Sequence, residues 1–246
     1  MFEYYIIMAF VAFNSFQRLT SNKKRSAGGG GGVGTSLNLL LKFDTGDITN
    51  TTYINDYSTG TAVAMNGLSG TYAINTTTKK VGTGSINFQT NASYSGLSIT
   101  KSVIINSFTI AGWYYMNTGV SYPRFFCIRA GAIFIEIYLV NNSASLSQET
   151  SFASGTFSIS GTFTFNTWNH MAFVYDNIGN TLKTYMNNSL ISTNTFTFTS
   201  FTSSTISVGI DPNYPNTQYI IGYVDDFRMY SYALSASNID TIYKLT

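Results

Sequence analysis

The C-terminal stretch Gly222–Tyr243 constrains the fold of this chain more than any other part of the sequence. In its first half, apolar and polar residues alternate: Phe227 and Met229 share one side, and Asp226 and Arg228 share the other. A period of two predicts a β-strand that is buried on one side only. Asp226 and Arg228 are two residues apart on the polar side, so we expect an ion pair along the strand.

The second half of the stretch changes its period and predicts a short helix. Ser235 can cap the N-terminus of this helix, and Ile239 and Ile242 then fall on one side of it. We therefore expect a strand that leads almost directly into a capped C-terminal helix.

Composition indicates that the chain is built from strands. Charged residues make up 10% of the 246 residues and aromatic residues 16%, and Thr, Ser, Asn and Gly are abundant. This composition is typical of strands joined by turns, with uncharged polar outer faces. Beyond residue 25, nine basic and ten acidic side chains nearly balance, which argues against a nucleic-acid surface. Cys127 is the single cysteine, so neither an internal disulfide nor a cysteine-based zinc site can form.

Residues 1–27 predict an arm that is separate from the domain. Tyr4–Phe13 is an apolar run of ten residues, shorter than the roughly 20 residues that span a bilayer, and a basic cluster follows it. The run is consistent with an apolar arm that docks on this protein or on an assembly neighbour, with an anchor that contacts a membrane, or with a cleaved signal peptide. Residues 28–35, with five successive glycines at Gly28–Gly32, predict a flexible linker, which places the domain at residues 36–246.

The body of the chain has the pattern of short strands separated by turns. About a dozen strands are predicted from alternation and apolar runs. They include Leu37–Phe43, Ser107–Met116, Ile133–Val140, Trp168–Asp176, Leu182–Met186, Leu190–Thr193, Thr195–Phe201 and Ile206–Ile210. Asn187 and Asn188 tolerate the left-handed conformation that a tight hairpin requires. The pattern predicts an all-β fold of two stacked antiparallel sheets in a jelly-roll sandwich, with a short C-terminal helix and an N-terminal apolar arm.

Several of these segments resemble the landmarks of one family. Trp168–Asp176 is similar to the strand Trp-x-His-Val-Ala-x-x-Tyr-Asp of LamG-like jelly-roll domains, part of the concanavalin A-like lectin/glucanase superfamily. Ser107–Met116, with Trp113, is similar to their strand Phe-Thr-Ile-x-x-Trp. The closing motif of the family, Gly-x-Ile-Asp-Asp-Val-Arg-Ile-Tyr-x-x-Ala-Leu-Ser, is matched by Gly222, Asp225, Asp226, Arg228, Tyr230, Ala233, Leu234 and Ser235. The resemblance covers residues 37–246 in the correct order.

The resemblance implies structural roles for residues in these segments. They are Trp113, Trp168, His170, Asp226, Arg228 and Ser235. His170 is the only histidine and lies in the middle of a predicted strand, which favours a packed structural histidine over a catalytic base. Trp168 begins the best-matched strand, so we expect it in the core and expect Trp168→Ala to cost about 3–5 kcal/mol.

Binding residues are predicted in the loops. Asp176 ends a predicted strand and is the preferred ligand if the domain binds Ca²⁺, as several relatives do; no cofactor is otherwise required. Tyr214 and Tyr219 lie in the most loop-like aromatic stretch, and together with Tyr223 they predict a rim that contacts a glycan or protein surface. Packing against the strands is the alternative role for each tyrosine.

Glycosidases of the superfamily carry three carboxylates in the pattern Glu-x-Asp-x-x-Glu on one strand. In the corresponding stretch, Phe134–Leu139, Glu136 is the only acidic residue, and the next one along the chain is Glu149. A retaining mechanism needs two carboxylates about 5 Å apart, so the sequence argues against catalysis.

Three functions follow from these observations. The first is a non-catalytic recognition module that binds glycan or protein on a surface, as part of a virion or cell-surface assembly. The second is a minor capsid or coat component anchored by residues 1–27, since LamG-like jelly rolls and glycine-run, Asn/Thr-rich proteins occur among structural proteins of large DNA viruses. The third is an atypical glycan-active enzyme. The fold alone does not decide between them.

Overall fold

A computed structural model describes residues 37–49, 52–66, 73–88, 96–118, 122–140, 143–150, 156–195, 197 and 199–245. The predicted arm and linker, residues 1–35, lie outside this range, so the predicted domain boundary stays a prediction. The strands in chain order are β1 Leu37–Leu41, β2 Ile48–Thr49, β3 Tyr53–Asp56, β4 Thr61–Asn66, β5 Ala73–Asn75, β6 Ser85–Asn87, β7 Leu97–Ile105, β8 Phe108–Met116, β9 Arg124–Ala130, β10 Ile133–Leu139, β11 Ser145–Thr150, β12 Thr156–Thr162, β13 Trp168–Asp176, β14 Thr181–Met186, β15 Ser189–Thr195, β16 Phe201–Val208 and β17 Gly222–Tyr230. One helix, α1 Ala236–Lys244, follows them.

The strands form two sheets. Sheet 1 has the strand order β15-β14-β13-β8-β17-β6-β5, and β1 also pairs with β17. Sheet 2 has the order β12-β11-β10-β9-β16-β7-β4-β3-β2. Neighbouring strands such as β8 and β13 in sheet 1, or β9 and β10 in sheet 2, run antiparallel. The predicted all-β sandwich of two antiparallel sheets with a short C-terminal helix is confirmed.

The core lies between the two sheets and is rich in aromatic rings. Phe125 of β9 lies 5.0 Å from the ring of Tyr114 in β8 and 5.5 Å from that of Phe173 in β13. Phe126, the next residue of β9, also contacts Phe173, at 5.6 Å between ring centroids. All four side chains are buried, so each buries a large apolar area and adds ring contacts to the stability of the sandwich.

Strand β17 is buried on both sides, and the prediction of a half-buried strand is wrong. Phe227 and Met229 point into the core, as predicted. On the other side, Asp225 accepts hydrogen bonds from the backbone N–H groups of Lys80 and Val81, both at 2.8 Å. The loop between β5 and β6 therefore covers the polar side of the strand, which sequence alternation alone cannot reveal.

A β-bulge at the centre of β17 places the predicted ion pair. The pairing of β17 with β8 shifts between Asp225 and Arg228, and Asp226 has a φ of 48°. The extra residue in the bulge brings Arg228 Nη2 to 2.8 Å from Asp226 Oδ2, so the ion pair is present. At the start of the strand, Gly222 is required because a Cβ atom there would overlap the carbonyl oxygen of Tyr115.

The C-terminal helix covers the same outer side of sheet 1. Ser235 caps α1, with its hydroxyl accepting from the N–H of Asn238 at 3.2 Å. Ile239 and Ile242 are its buried residues, and the Tyr243 ring stacks on Trp113 at 5.6 Å. The helix thus protects the middle of β8 from solvent.

The smaller predictions have mixed outcomes. The hairpin of β14 and β15 turns at Asn187 and Asn188, which have φ values of 49° and 68°, as predicted. The predicted strand Thr195–Phe201 is wrong, since the described residues between β15 and β16 are exposed and carry no strand. The Thr-Phe alternation fits a pleated surface, but strand propensity depends on packing against a neighbour. None of the helices within the described residues is long and apolar enough to cross a membrane.

Candidate functional site

The three tyrosines predicted to form a rim differ in their exposure. Tyr214 is 56% exposed, whereas Tyr219 and Tyr223 are 9% and 8% exposed. Tyr219 packs with Ile210 in a small separate cluster. Tyr223 lies in β17, within 5.7 Å of the ring of Tyr115. Of the three, only Tyr214 presents an accessible ring face to a ligand.

Tyr214 lies in the loop 209–221, which joins β16 to β17 and is closed by its own hydrogen bonds. The N–H of Asp211 donates to the carbonyl of Gln218 at 2.8 Å, and the N–H of Gln218 donates to the carbonyl of Tyr214 at 3.0 Å. The Asp211 side chain also accepts from the N–H of Asn213 at 2.9 Å. These bonds fix the backbone on both sides of Tyr214.

The loop is held against sheet 2 by a group of charged side chains that we call the arginine cluster: Arg124, Arg129, Glu136 and Asp211. Arg129 donates to Asp211 twice, from Nε to Oδ1 at 3.1 Å and from Nη2 to Oδ2 at 2.6 Å. Arg124 Nη2 donates to Glu136 at 3.0 Å, and Arg129 Nη2 lies 3.6 Å from the other Glu136 oxygen. Arg124 also donates to the side chain of Gln218 at 2.5 Å.

Strand pairing brings the cluster together on the outer face of sheet 2. Glu136 is the partner of Cys127 in the β9–β10 pair, and Arg124 is the partner of Tyr138. A register shift between these pairs leaves Phe125 without a partner, so the side chain of Arg124 reaches the same face as that of Arg129. Sequence alternation does not reveal this shift, and the contact with Asp211 crosses from β9 to a distant loop.

The arginine cluster is compact and balanced in charge. Its two guanidinium groups face two carboxylates, and Glu136 and Asp211 are 2% and 0% exposed. Each guanidinium also lies over an aromatic ring, Arg124 at 4.1 Å from Tyr138 and Arg129 at 4.3 Å from Phe134. Buried charges are tolerated where such pairing and hydrogen bonding offset the loss of hydration.

Cys127, Glu136 and Asp211 form the one group within the described residues whose ligand atoms could surround a metal ion, all within 4.8 Å of one another. Burial, with the nearby Glu136 and Asp211 carboxylates, raises the pKa of the Cys127 thiol well above its usual value. A protonated thiol is a poor metal ligand, and Arg124 and Arg129 already bind the two carboxylates. The arrangement therefore favours an ion-pair network over a metal site.

Asp176, the predicted calcium ligand, lies outside this group. Its Oδ1 accepts a hydrogen bond from the N–H of Ile178 at 3.0 Å, within the turn between β13 and β14. This contact is a common role for aspartate in turns. Calcium binding at Asp176 stays a prediction.

The sequence matches the Laminin_G_3 family, described as the concanavalin A-like lectin/glucanases superfamily, over residues 89–240. The chain belongs to this family. The match confirms the resemblance found in the closing strand and in Trp168–Asp176, and it includes β9, β10 and the loop that carries Tyr214. No curated protein sequence matches this Laminin_G_3 chain significantly.

Solved structures share the fold of this Laminin_G_3 domain at low sequence identity. The receptor-binding domain of botulinum neurotoxin type G has a TM-score of 0.62 and 16% identity over 86% of this chain and 51% of that chain. A structure of botulinum neurotoxin type C has a TM-score of 0.61 and 16% identity, covering 85% of this chain and 51% of that chain. The cell entry of that toxin depends on interaction with two ganglioside molecules. The chain thus spans about half the length of these toxin domains.

A second kind of neighbour matches along its whole length. Domain 4 of AbnA, a GH43 extracellular arabinanase from Geobacillus stearothermophilus solved in complex with arabinotriose, has a TM-score of 0.63 and 18% identity. The match covers 84% of this chain and 98% of that domain. At these identities the neighbours establish the jelly-roll fold of the Laminin_G_3 domain and no more.

Sequence reasoning missed the approach of Asp211 to Glu136. Their carboxylates lie within 4.8 Å of each other, close to the spacing of about 5 Å in retaining glycosidases. Both are nonetheless buried and bound to Arg129. Their burial and their ion pairs favour a structural role in this Laminin_G_3 domain. Nothing in the sequence links these two acidic residues.

The two tryptophans have different environments. Trp113 is buried, with its ring 5.2 Å from His170, which is also buried. Burial, with a smaller effect of the Arg228 charge, lowers the pKa of His170 to about 3, so the ring is neutral at pH 7. Trp168 is only partly buried, and its ring contacts Tyr115 at 5.7 Å on the outer side of sheet 1. The expectation that Trp168 is a core residue is therefore wrong.

Proposed function

We propose that this Laminin_G_3 domain is a non-catalytic glycan-binding module and that the loop 209–221, seated on the arginine cluster, forms its site. The observation that carries the proposal is the exposed Tyr214 ring on a loop fixed by buried charges. Two structural neighbours have glycan ligands, gangliosides for botulinum neurotoxin type C and arabinotriose for Domain 4 of AbnA, which supports a glycan as the ligand class here.

A second exposed tyrosine is tied to the same cluster. Tyr122, just before β9, is 38% exposed, and its carbonyl accepts a hydrogen bond from Arg124 Nη1 at 2.9 Å. Arg124 also bonds Gln218, which bonds the backbone of Tyr214. One buried guanidinium thus connects the two segments that carry exposed rings. Aromatic ring faces can stack on the C–H faces of sugars, and rings held in place before binding lose less entropy when they bind.

The same loop also offers neutral hydrogen-bonding groups. Asn213, Asn216 and Thr217 are exposed next to Tyr214. Amides and hydroxyls both donate and accept hydrogen bonds, as sugar hydroxyls do. A few such groups beside aromatic rings are the usual composition of small-ligand sites.

The proposal is tested by glycan binding with single-site variants. A glycan array identifies the best-bound oligosaccharide, and calorimetry then compares wild type with Tyr214→Ala. We expect an affinity loss of at least about tenfold, which corresponds to about 1.4 kcal/mol. Tyr53→Ala is the matched control, because Tyr53 is 47% exposed on β3, four strands or about 19 Å away from β9 in sheet 2. Equal affinity of both variants and wild type would place the site elsewhere.

The other functions lack a comparable observation. The capsid or coat role and the virion association rest on residues 1–27, which lie outside the described residues, and they stay predictions from the sequence. Catalysis would need the Glu136 and Asp211 carboxylates to reach a substrate, and both are buried and paired with arginines.

A further inference from the structure

Resting on the proposed function, we infer that the site selects neutral glycans over glycans that carry a carboxylate or sulfate. The inference concerns the positive charges near Tyr214. In β9, β10, β16 and the loop 209–221, the only basic residues are Arg124 and Arg129. An acidic sugar that formed an ion pair with these elements would therefore have to use one of these two guanidinium groups.

Both guanidinium groups are already bound to carboxylates of the protein. Arg129 makes the two-bond contact with Asp211 and also approaches Glu136. Arg124 donates hydrogen bonds to Glu136, to Gln218 and to the carbonyl of Tyr122. The rings of Tyr138 and Phe134 lie against the faces of the two groups. Little of either charge is open to a ligand.

A ligand anion that paired with either arginine would also have to displace a protein carboxylate. Glu136 and Asp211 have almost no contact with solvent, so removing their arginine partners would leave a buried, unpaired charge. The ligand would pay this cost at each binding event, whereas a neutral sugar can bind to Tyr214 and the amides above an intact cluster. The difference gives the site a preference for uncharged ligands.

The preference predicts a weak dependence on salt. An ion pair between a ligand and an accessible arginine weakens as added salt screens the charges, with a screening length of about 10 Å at 0.1 M. A neutral sugar bound by stacking and hydrogen bonds has no such charge to screen. We expect the dissociation constant of the bound glycan to change less than about twofold between low and moderate salt.

The first test is a glycan array, probed with the full chain, that contains each neutral oligosaccharide together with its sialylated and sulfated derivatives. Calorimetry then measures the binding of lactose and 3′-sialyllactose, or of the best-bound pair, at two salt concentrations. Tighter binding of neutral members, by about tenfold or more, with little effect of salt supports the inference. Tighter binding of acidic members, weakened by salt, overturns it while leaving glycan binding in place. Binding of no member contradicts the proposed function itself.

A charge variant tests the cause of the preference. Glu136→Gln keeps the shape of the side chain and removes the negative charge between the two arginines. We expect its affinity for the acidic member of the pair to rise at least about threefold relative to its affinity for the neutral member. Asp240→Asn is the matched control, since it removes one negative charge on α1, on the sheet 1 side of the domain. An equal rise in the affinity of both variants for the acidic glycan would show that net charge causes the effect, and it would overturn the role of the cluster. If Glu136→Gln does not fold, the wild-type array and its salt dependence still decide the inference.

Discussion

Arg129 and Asp211 join sheet 2 to the loop that carries Tyr214, through two parallel hydrogen bonds of 3.1 and 2.6 Å. The aspartate also holds the start of its own loop through the N–H of Asn213. This one pair therefore links a central strand, β9, to the backbone of the proposed binding loop. Such two-bond arginine–carboxylate contacts fix geometry as well as adding energy.

The first prediction concerns the stability of this link. We expect Asp211→Ala to lower the free energy of unfolding by about 3–5 kcal/mol, because it leaves the largely buried Arg129 charge without its principal partner. Urea unfolding followed by tryptophan fluorescence measures the change. Asp240→Ala is the control, since its ion pair with Lys244 is exposed and such surface pairs contribute little to stability. Similar losses in the two variants would contradict a special role for the buried pair.

The two tryptophans provide a second prediction. Trp113 is buried between Tyr243, His170 and the Lys80 side chain, so we expect Trp113→Ala to cost about 3–5 kcal/mol. Trp168 is partly exposed, and we expect Trp168→Ala to cost about 1–2 kcal/mol, since less apolar area is buried there. Chemical denaturation of both variants measures the order. A larger loss for Trp168→Ala would show that the outer side of sheet 1 is more important to stability than burial indicates.

A third prediction comes from the sequence of the N-terminal arm. The described strands begin at Leu37, and Leu39 and Leu41 are already in the core. We therefore expect a chain that lacks residues 1–34 to remain folded. If the apolar run Tyr4–Phe13 docks on an assembly neighbour or a membrane, the truncated chain should be monomeric and lose those partners. Sedimentation velocity and co-purification compare the two chains, and identical behaviour would reject an anchoring role.

The fold could be predicted from the sequence to a large extent, because its evidence is local. The strand Gly222–Tyr230, the cap at Ser235 and the Asn187-Asn188 turn each depend on a few neighbouring residues, and each is present in the structure, although the strand is buried on both sides. The family resemblance, which matches several segments in the correct order, adds the order of the strands. A fold can be predicted from its sequence when such local signals agree with one another.

The candidate site could be predicted only in part, because it depends on contacts between distant segments. The sequence identifies Tyr214 as a loop tyrosine, but the burial of Tyr219 against Ile210 and of Tyr223 against Tyr115 follows from packing. The register shift at Phe125 in the β9–β10 pair brings Arg124 to the face of Glu136, and a period-two pattern does not reveal a single bulge of this kind. The arginine cluster was therefore missed.

The last prediction concerns the pH dependence of stability, through Asp225. Its side chain is fully buried, and burial, reinforced by the neighbouring Asp226 charge and opposed by the hydrogen bonds from Lys80 and Val81, raises its pKa to about 7. In the unfolded chain an aspartate has a pKa of about 3.9. Between these two values the folded state keeps a proton that the unfolded state has lost. The Asp225 contribution to stability is therefore present below about pH 4 and decreases as the pH rises to about 7.

His170 changes stability in the opposite direction over much of the same range. Its pKa is lowered to about 3 in the folded state, against about 6.5 when unfolded, so its contribution is present above about pH 6.5 and is lost as the pH falls. The pH dependence of stability of the wild type combines both effects, and a variant is needed to separate them.

Asp225→Asn removes the carboxyl titration, while its amide oxygen can still accept hydrogen bonds from the loop between β5 and β6. We expect the stability of wild type minus that of Asp225→Asn to decrease by up to about 4 kcal/mol from pH 4 to pH 7, at about 1.4 kcal/mol per pKa unit. Urea unfolding at several pH values measures this difference, and a constant difference across the range would show that Asp225 does not titrate as its burial indicates.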